Sequence, residues 1–497
     1  MNRGYNEGRL EGIMVNFIVK NKKYIGYIVL ALFYFIVLLC LCKYKAYIDE
    51  GDFAIKYWGA HGMHNGYKLY NDINIIVPPI SYLLSYIAIG IYDSYLSIFI
   101  LTSLIWLGIF YYNHEIAAYF KTNQFIVIIL NLLVPIFNSI YGSLFYDYNI
   151  VAALFCLGSL YYILCKDYNL KYCIIIALFL ICAIWTKQST GVFYFIAALI
   201  AMIIKFRKEK KFIKNSLIMV LVGLLFSSII ICSLLITNTF NSFMDLCVWG
   251  IFKFSENTAY TQMTCTHFVQ FFITFAAGYL IIKNKYFDKN TFILVLFLIT
   301  SLTVCYPIFS VNHSSTYGIF LVPVFICAAR KISTKKTFIY FLLLLVGLII
   351  VLINRFSFSS EEVIVKIEDG KFKDLKCNSG YYIAYKEIEK YMEANPDKDF
   401  YIIDKSATGL CCLFDINNGY YNFLWNGNIG TKSIDEYMQE LDLTGKFVIA
   451  VDYSYQLYGY DNKKIYAYIE EKCNFIETLH HNDYDGKITN VNLFYGK

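Results

Sequence analysis

Charged residues and prolines are scarce in this chain of 497 residues. Asp, Glu, Lys and Arg make up 16% of it, whereas hydrophobic residues make up 58% and the mean hydropathy is +0.51. Soluble domains usually carry about 25% charged residues, so the composition excludes an ordinary soluble globular protein. The 6 Pro, 28 Gly and 19% aromatic residues exclude collagen-like repeats, low-complexity linkers and disorder. The composition therefore predicts a membrane protein with several spans.

Charge is divided unevenly along the chain. Residues 356–497 contain 15 Lys and 23 Asp or Glu, whereas the preceding part contains 28 Lys or Arg and 14 Asp or Glu. The basic excess accompanies the apolar part, which is typical of loops that lie beside lipid head groups. Because no basic stripe with interleaved aromatic residues occurs on a soluble element, we expect membrane lipid and no nucleic acid as a partner.

Apolar runs that approach the length of a membrane span occur throughout the first 354 residues. A span needs about 20 apolar residues to cross a hydrocarbon core of roughly 30 Å. The fold class predicted is an α-helical polytopic membrane protein with about 11 spans. The predicted spans are 24–42, 95–112, 125–142, 149–165, 172–186, 189–204, 216–236, 265–282, 291–309, 315–329 and 338–354. The shorter run 78–92 begins with two prolines, and we expect a helix lying in the membrane interface there.

The charges of the loops orient these spans. With the N-terminus in the cytoplasm, the inner segments hold 21 Lys or Arg and the outer loops hold 6. Cytoplasmic loops carry the positive excess, so the N-terminus is predicted inside and the C-terminus outside. This orientation gives a cytoplasmic tail over 1–23, a transmembrane core over 24–354 with its first outer loop at 43–94, and an extracytoplasmic domain over 355–497.

The C-terminal domain is predicted to be small and α/β, because its hydrophobic period alternates between that of strands and that of helices. The strand-like runs are 363–367, 400–403, 447–451, 475–479 and 488–494. The helix-like stretches are 381–393, 433–441 and 464–472. No catalytic set of residues is evident in this domain, so we expect it to shape an acceptor site or to bind a partner.

Several carboxylates of the apolar part lie in predicted outer loops. They include Asp49 and Glu50 in the first loop, Asp147 in the second and Asp245 in a later one. None lies in the middle of a predicted span, where a transporter or proton relay would bury some. Their positions favour chemistry at the outer membrane surface, although any single carboxylate in such a loop more often simply faces water.

Four ordered motifs accompany these carboxylates. They are D-E-G at 49–51, G-x-x-x-Y-x-D at 66–72 before two prolines, Y-D-Y-N at 146–149, and K-Q-x-x-G at 187–191. The set resembles the family 39 membrane glycosyltransferases, the protein mannosyltransferase and aminoarabinose transferase group, which have a C-type glycosyltransferase fold. The resemblance covers roughly residues 24–330.

The resemblance implies an enzyme, an inverting glycosyltransferase of the cell membrane whose active site faces outward. Its donor would be a hexosyl or pentosyl group on a polyprenyl monophosphate. Its acceptor, whether a lipid, a cell-envelope polymer or a protein, is not specified. Asp49 is the expected general base, with Glu50 as the second choice, because the attacking hydroxyl must lose a proton.

The anionic leaving group requires a cation near the hydrocarbon boundary. Lys187 is the expected phosphate contact, and the alternative is a lysine that snorkels at a helix end. Relatives often carry Arg three residues after the D-E pair, where this chain has Phe53. Lys56 is therefore predicted to supply the second cation.

The remaining candidates have less specific roles. Asp147 is expected either to join Asp49 in binding a divalent cation or to orient the acceptor or a loop; no other cofactor is predicted. Gln188, His313 and Tyr317 are expected to contact substrate, although His and Tyr are common at membrane interfaces. Two further histidines of the first loop, at 61 and 64, could add metal ligands, but such a pair is more often a polar helix face.

Two rival interpretations belong to other classes of protein. A transporter or flippase of lipid-linked saccharides predicts inverted repeats and charges near the membrane midplane, and inspection finds neither. A non-catalytic membrane scaffold would leave the four motifs unexplained. The glycosyltransferase is therefore the preferred interpretation.

Overall fold

The structure is a computed structural model that describes residues 28–43, 51–140, 145, 147–250, 265–305, 311–330, 364–368, 370, 372–403, 429–452, 462–481 and 490–497. Helices dominate the described residues up to 330, and a small sheet with helices follows them. The described helices of the first part are α1 (Ile28–Lys43), α2 (Gly51–His64), α3 (Ile80–Ile91), α4 (Tyr95–Tyr119), α5 (Gln124–Ile140), α6 (Tyr148–Cys165), α7 (Leu170–Ile184), α8 (Gln188–Phe206), α9 (Phe212–Ile236), α10 (Phe240–Phe243), α11 (Cys265–Lys283), α12 (Lys289–Cys305) and α13 (Val311–Ala328).

Ten of the eleven predicted spans lie on these helices. The helices α4, α6, α8 and α9 are long and apolar enough to cross a membrane, and seven shorter apolar helices accompany them in the described chain. The predicted span 338–354 lies outside the described residues. The helical architecture is thus confirmed, whereas the number of crossings and their orientation stay predictions.

Polar residues define where several of these helices begin. The hydroxyl of Ser94 accepts a hydrogen bond from Leu96 N at 3.3 Å before α4, and the Asn169 side chain accepts one from Tyr172 N at 3.0 Å before α7. Such caps satisfy N–H groups that have no partner within the helix. In an otherwise apolar stretch, a single polar residue is therefore enough to fix the first turn.

Helix α6 lies at the centre of the bundle. It packs against α4, α7, α8, α12 and α13. Its buried residues include Ala152, Ala153 and Gly158, whose small size lets neighbouring backbones approach closely. Helix α9 lies at the periphery, where it packs mainly on α7.

Helix α3 has the character predicted for an interfacial helix. Its 12 residues extend about 18 Å, too short to cross the hydrocarbon core. One face is buried through Tyr82 and Ser85, while Ile87 and Ile91 are exposed. A proline immediately precedes the helix, at a position where its missing N–H costs nothing.

Two predicted outer loops contain helices that the sequence did not predict outright. Helix α2 occupies much of the first loop. A six-residue π-helix, Met244–Trp249, follows α10 in the loop after α9. Both are short and mixed in composition, so neither produces a long apolar run.

The C-terminal part contains β1 (Ile364–Lys366), β2 (Lys376–Asn378), α14 (Ser379–Ala394), β3 (Phe400–Ile403), α15 (Ile434–Glu440), β4 (Phe447–Asp452), α16 (Asn462–Lys472), β5 (Cys473–His481) and β6 (Asn490–Gly496). β1 and β2 form an antiparallel pair, and the other strands form a sheet in the order β3-β4-β6-β5. β3 and β4 are parallel, whereas β4–β6 and β6–β5 are antiparallel. The predicted strands and helices are confirmed, and β2 is an addition.

The turn between β1 and β2 rests on the helical part. The ring of Phe372 contacts Tyr57 of α2 edge-on, with ring centroids 5.1 Å apart. The Tyr95 hydroxyl at the start of α4 donates to the backbone oxygen of Lys373 at 3.4 Å. These contacts attach the C-terminal part to the same ends of the helices that carry the predicted site residues.

Candidate active site

A buried carboxylate caps the first turn of α6. Asp147 Oδ1 accepts a hydrogen bond from the backbone N–H of Ile150 at 2.9 Å, and Oδ2 accepts one from the Asn149 side-chain amide at 2.8 Å. Aspartate is favoured at such a position because it satisfies an N–H that lacks a helical partner. Asp147 and Asn149 are both buried, so the cap also fixes the direction in which the Asn149 amide points.

Lys187 reaches the same place from the turn between α7 and α8. Its Nζ donates a hydrogen bond to Oδ1 of Asn149. The residue is only 7% exposed. A snorkelling lysine keeps its ammonium group in water, so this burial favours the site interpretation of Lys187 over the snorkelling one.

The glycine of the K-Q-x-x-G motif makes this turn sterically feasible. A Cβ atom on Gly191 would lie 2.3 Å from both the Cα and the N of Ile184, well inside van der Waals contact. Those atoms belong to backbone and cannot move aside cheaply. The Gly191 N–H donates to the Lys187 backbone oxygen at 2.8 Å, so the motif spacing closes the first turn of α8 below the lysine.

Lys56, on α2, lies near the same residues. The cluster of the candidate site consists of Lys56, Tyr82, Asp147, Tyr148, Asn149 and Lys187. Lys56 is 3% exposed, and its Nζ lies 4.3 Å from the ring centroid of Tyr82 and 5.2 Å from that of Tyr148. The Nζ of Lys187 lies 5.4 Å from the Tyr148 ring centroid. Both ammonium groups thus lie within the range of a cation–π interaction with one aromatic ring.

Counted over its described residues alone, this cluster carries a net positive charge. Lys56 and Lys187 contribute two ammonium groups and Asp147 one carboxyl group. Burial raises the pKa of Asp147, while hydrogen bonds from Asn149 and Ile150 and then the two lysine charges oppose that increase. Cationic groups in a poorly hydrated site attract an anion strongly, so the arrangement is suited to bind one.

Gln188 points away from this cluster. Its side-chain amide nitrogen donates to the backbone oxygen of Cys247 in the π-helix. Cys247 is fully buried, and its Sγ lies 3.6 Å from the backbone oxygen of Ile75 in the first loop. Gln188 therefore joins the turn of Lys187 to two of the loops that were predicted to be outer ones, and its own role in substrate binding stays a prediction.

Tyr317 and His313 lie on α13. Tyr317 is buried, and its hydroxyl forms a hydrogen bond with the hydroxyl of Thr274 on α11. His313 belongs to the first turn of α13, and its side chain is outside the described part of the chain. Their predicted contacts with substrate stay predictions.

The predicted bases Asp49 and Glu50 lie outside the described residues. Helix α2 begins at Gly51, the next residue, and Lys56 lies on the same helix. The assignment of the general base is thus still a prediction from the sequence motif.

Comparison with known proteins supports the architecture. No protein-family model and no curated protein matches the sequence. Among solved structures, the crystal structure of ArnT from Cupriavidus metallidurans bound to undecaprenyl phosphate aligns with a TM-score of 0.55 and 11% identity. The alignment covers 94% of this chain and 98% of that chain. The apo state of the same protein aligns with a TM-score of 0.45 and 10% identity, covering 95% and 98%.

The chain has the ArnT fold. ArnT is an aminoarabinose transferase of family 39, the group that the sequence motifs resemble. The resemblance predicted from four short motifs is therefore confirmed at the level of fold. At this identity the similarity to ArnT fixes no residue role, so each role rests on the geometry of this chain.

The predicted metal pair of Asp49 and Asp147 stays a prediction, because Asp49 lies outside the described residues. The described residues contain no group of three His, Cys, Asp or Glu side chains that could hold a metal ion. Each oxygen of Asp147 accepts one hydrogen bond and keeps a second lone pair. The histidines of α2 diverge, because His61 Nδ1 lies 3.9 Å from Asp93 Oδ1 while His64 Nε2 lies 2.8 Å from the backbone oxygen of Tyr86.

Three residues of the cluster were not predicted from the sequence. Asn149 links Asp147 to Lys187, Tyr148 lies beside both ammonium groups, and Tyr82 lies below Lys56. The Y-D-Y-N motif contains two of them, and that motif was the available signal. Tyr82 lies in the predicted interfacial helix, and no sequence signal links it to Lys56.

Proposed function

We propose that this protein is an inverting glycosyltransferase. It moves a hexosyl or pentosyl group from a polyprenyl phosphate to an acceptor hydroxyl at the outer face of the membrane. The observation that carries the proposal is the placement of two buried ammonium groups, those of Lys56 and Lys187, around Tyr148 and near the carboxyl group of Asp147. Undecaprenyl phosphate, bound in the crystal structure of ArnT, has the anionic head group that such a site would accept.

The lysines act on the leaving group in this proposal. As the bond between the anomeric carbon and the phosphate oxygen breaks, the phosphate takes the electron pair and gains negative charge. Lys187 and Lys56 stabilise that charge because they are held in place before the reaction and are shielded from water. Asp147 is a positioning residue, since it holds Asn149, which in turn holds Lys187.

The acceptor hydroxyl needs a base. Asp49 takes the hydroxyl proton while the hydroxyl oxygen attacks the anomeric carbon from the face opposite the phosphate. One carbon–oxygen bond forms as the other breaks, so the configuration at the anomeric carbon inverts. The products are the glycosylated acceptor and free polyprenyl phosphate.

The decisive experiment follows donor consumption. Purified protein in lipid nanodiscs is incubated with a panel of undecaprenyl-phosphate sugars and a cell-envelope extract that supplies acceptors, and the release of undecaprenyl phosphate is measured by mass spectrometry. We expect one or more donors to be consumed. We expect Asp49→Asn to abolish consumption, because the amide cannot take a proton, while donor binding and folding are retained.

Two outcomes would contradict the proposal. If Asp49→Asn retains full activity, the assignment of the base is wrong. If no donor is consumed and intact lipid-linked sugar instead crosses the wall of a proteoliposome, the protein is a flippase.

A further inference from the structure

A cavity of about 480 Å³ lies between the helical part and the C-terminal part of the chain. Three segments line it: 70–74 of the first outer loop, 241–246 of α10 and the π-helix, and 429–441 of the C-terminal part. Its volume falls within the range of small-molecule binding sites. The cavity does not include Lys56, Asp147 or Lys187, so it is distinct from the cluster described above.

A tight contact fixes two of these walls. Asp245 Oδ1 accepts hydrogen bonds from the backbone N–H and the hydroxyl of Thr431, at 3.2 and 2.6 Å. Gly430 has a φ of +66°, and a Cβ there would lie 2.0 Å from Asp245 Oδ2. Only glycine allows this approach, so the segment around Gly430 is seated directly on the π-helix that presents Asp245.

The opposite wall has a strained backbone. Tyr70 has a φ of +73°, which is rare for a bulky residue. The conformation is held by a hydrogen bond from Tyr70 N to Ile73 O at 2.8 Å and by one from the Tyr70 hydroxyl to Val77 O at 3.1 Å. The ring contacts Phe243 edge-on at 5.2 Å. Strain that is retained in this way is often found at binding sites.

The chemistry of the lining selects a class of ligand. Asn71, Asn74 and Asn241 contribute amides and Ser242 a hydroxyl, while Tyr437 contributes an aromatic ring with a polar end. Amides offer both donors and acceptors, which matches the paired hydroxyl groups of a sugar. An aromatic face accommodates the apolar face of a sugar ring.

The charged residues of the lining argue against an anionic ligand. The Lys432 ammonium forms an ion pair with Glu440, and Asp245 adds a further negative charge. The cavity also has few aliphatic residues, so a lipid tail would leave its amides without hydrogen bonds. A neutral carbohydrate fits this lining better than a phosphate or an acyl chain.

The cavity is linked to the cluster by the turn between α7 and α8. Gln188, the neighbour of Lys187, donates to Cys247 O in the π-helix. Two residues before Lys187, the Trp185 ring stacks on Phe243 with centroids 5.7 Å apart. The turn that carries Lys187 therefore touches the same short helices that line the cavity.

We propose that this cavity binds the carbohydrate portion of the acceptor. The inference rests on the proposed function, and it adds that the acceptor is a saccharide or carries one beside the reacting hydroxyl. The site at Lys56 and Lys187 holds the donor, and the cavity holds the acceptor next to it.

The test measures saccharide binding and lipid-phosphate binding separately. The full-length protein in nanodiscs is titrated with chitotriose, mannotriose and maltotriose, and binding is followed by saturation-transfer NMR. Undecaprenyl phosphate binding is measured on the same samples by native mass spectrometry. Asn241→Trp fills the cavity from an exposed position, and Lys390→Trp places the same residue on exposed α14 as a matched control.

We expect at least one trisaccharide to bind the unmodified protein. Its affinity should fall about tenfold or more in Asn241→Trp and stay constant in Lys390→Trp, with undecaprenyl phosphate bound equally by all three. If Asn241→Trp does not fold, the double variant Asn71→Ala, Asn241→Ala removes two amides, and its affinity should fall about fivefold or more.

The remaining outcomes contradict either the saccharide-binding cavity or the proposed function. Absence of trisaccharide binding, or binding that is equal in the variants, overturns the inference even when undecaprenyl phosphate binds. Failure of the unmodified protein to bind undecaprenyl phosphate counts against the proposed function, whereas the NMR titration still decides whether the cavity holds a saccharide.

Discussion

Helices α6 and α9 are both apolar enough to cross a membrane, yet they have opposite surroundings. Of the most apolar stretch of α6, 72% is buried inside the protein, compared with 11% for α9. Helix α9 is the more hydrophobic of the two, yet it is the one that lies at the surface of the helical bundle. In lipid there is no hydrophobic gain from burying an apolar helix in protein, so packing follows small residues and polar contacts instead.

The beginnings of the two helices differ in the same way. The buried Asp147 immediately precedes α6, caps it and holds Asn149 toward Lys187. Lys211 immediately precedes α9, makes no side-chain cap and lies in the most basic loop of the chain. We therefore expect activity to depend on the polar end of α6 more than on α9.

The largest loss of donor consumption is expected when the ammonium group held by α6, that of Lys187, is removed. Lys187→Met keeps the length of the side chain and removes its charge. We expect donor consumption to fall about 10- to 100-fold, because a charged hydrogen bond to the leaving phosphate is lost. Lys205→Met is the matched control, since Lys205 lies at the other end of α8, where its Nζ donates to Leu164 O. Equal losses in both variants would contradict a specific role for Lys187.

A smaller effect is expected from the residue that positions this cation. Asn149→Ala removes the hydrogen bond to Lys187 and the one to Asp147. We expect the Kd for undecaprenyl phosphate, measured by native mass spectrometry, to rise about tenfold. Asn169→Ala also removes an asparagine from a helix start, and it should destabilise α7 without changing this Kd.

The same variant should change the pH dependence of donor consumption. The Asn149 hydrogen bond lowers the pKa of Asp147, against the increase caused by burial. Burial keeps the pKa of Asp147 above its ordinary value in the unmodified protein, so acidification protonates Asp147 and loosens its hold on Asn149. Asn149→Ala lacks this link, so its rate, already lower, should fall less steeply as the pH is lowered. An acidic limb equally steep in the variant and in the unmodified protein would mean that Asp147 does not act through Asn149.

The smallest effects are expected in the middle of the two helices. Ala153 of α6 is fully buried, whereas Leu221 of α9 is 63% exposed. Ala153→Leu should destabilise the protein by about 1–3 kcal/mol through overpacking. Leu221→Ala should change stability by less than about 0.5 kcal/mol. Unfolding midpoints in detergent, followed by tryptophan fluorescence, test the pair, and a larger loss in Leu221→Ala would show that α9 packs against another protein surface.

Much of this architecture could be predicted from the sequence. Apolar runs locate the helices because the membrane requires continuous apolar segments, and the alternating runs of the C-terminal part locate its strands. Strand β2 was missed because it has three residues, two of them polar. The π-helix was missed because no sequence period distinguishes it from an ordinary helical turn.

The sequence predicted which residues belong to the candidate site better than it predicted the contacts between them. The motifs identified Asp147 and Lys187, and the missing arginine pointed to Lys56; the structure places these three around Tyr148. Their roles stay predictions, and Asp49 and Glu50 lie outside the described residues. The contribution of Asn149 and Tyr82 depends on which helices pack side by side, which a linear pattern does not encode.

The turn at Gly191 has a mechanical consequence. Because backbone lies against backbone there, we expect α7 and α8 to move as one hairpin and not to slide along each other. The packing of the two helices would then hold the ammonium group at the tip of the hairpin. If the hairpin crosses the bilayer as predicted, bilayers of different thickness should tilt it as a unit and leave that charge in place relative to its neighbours.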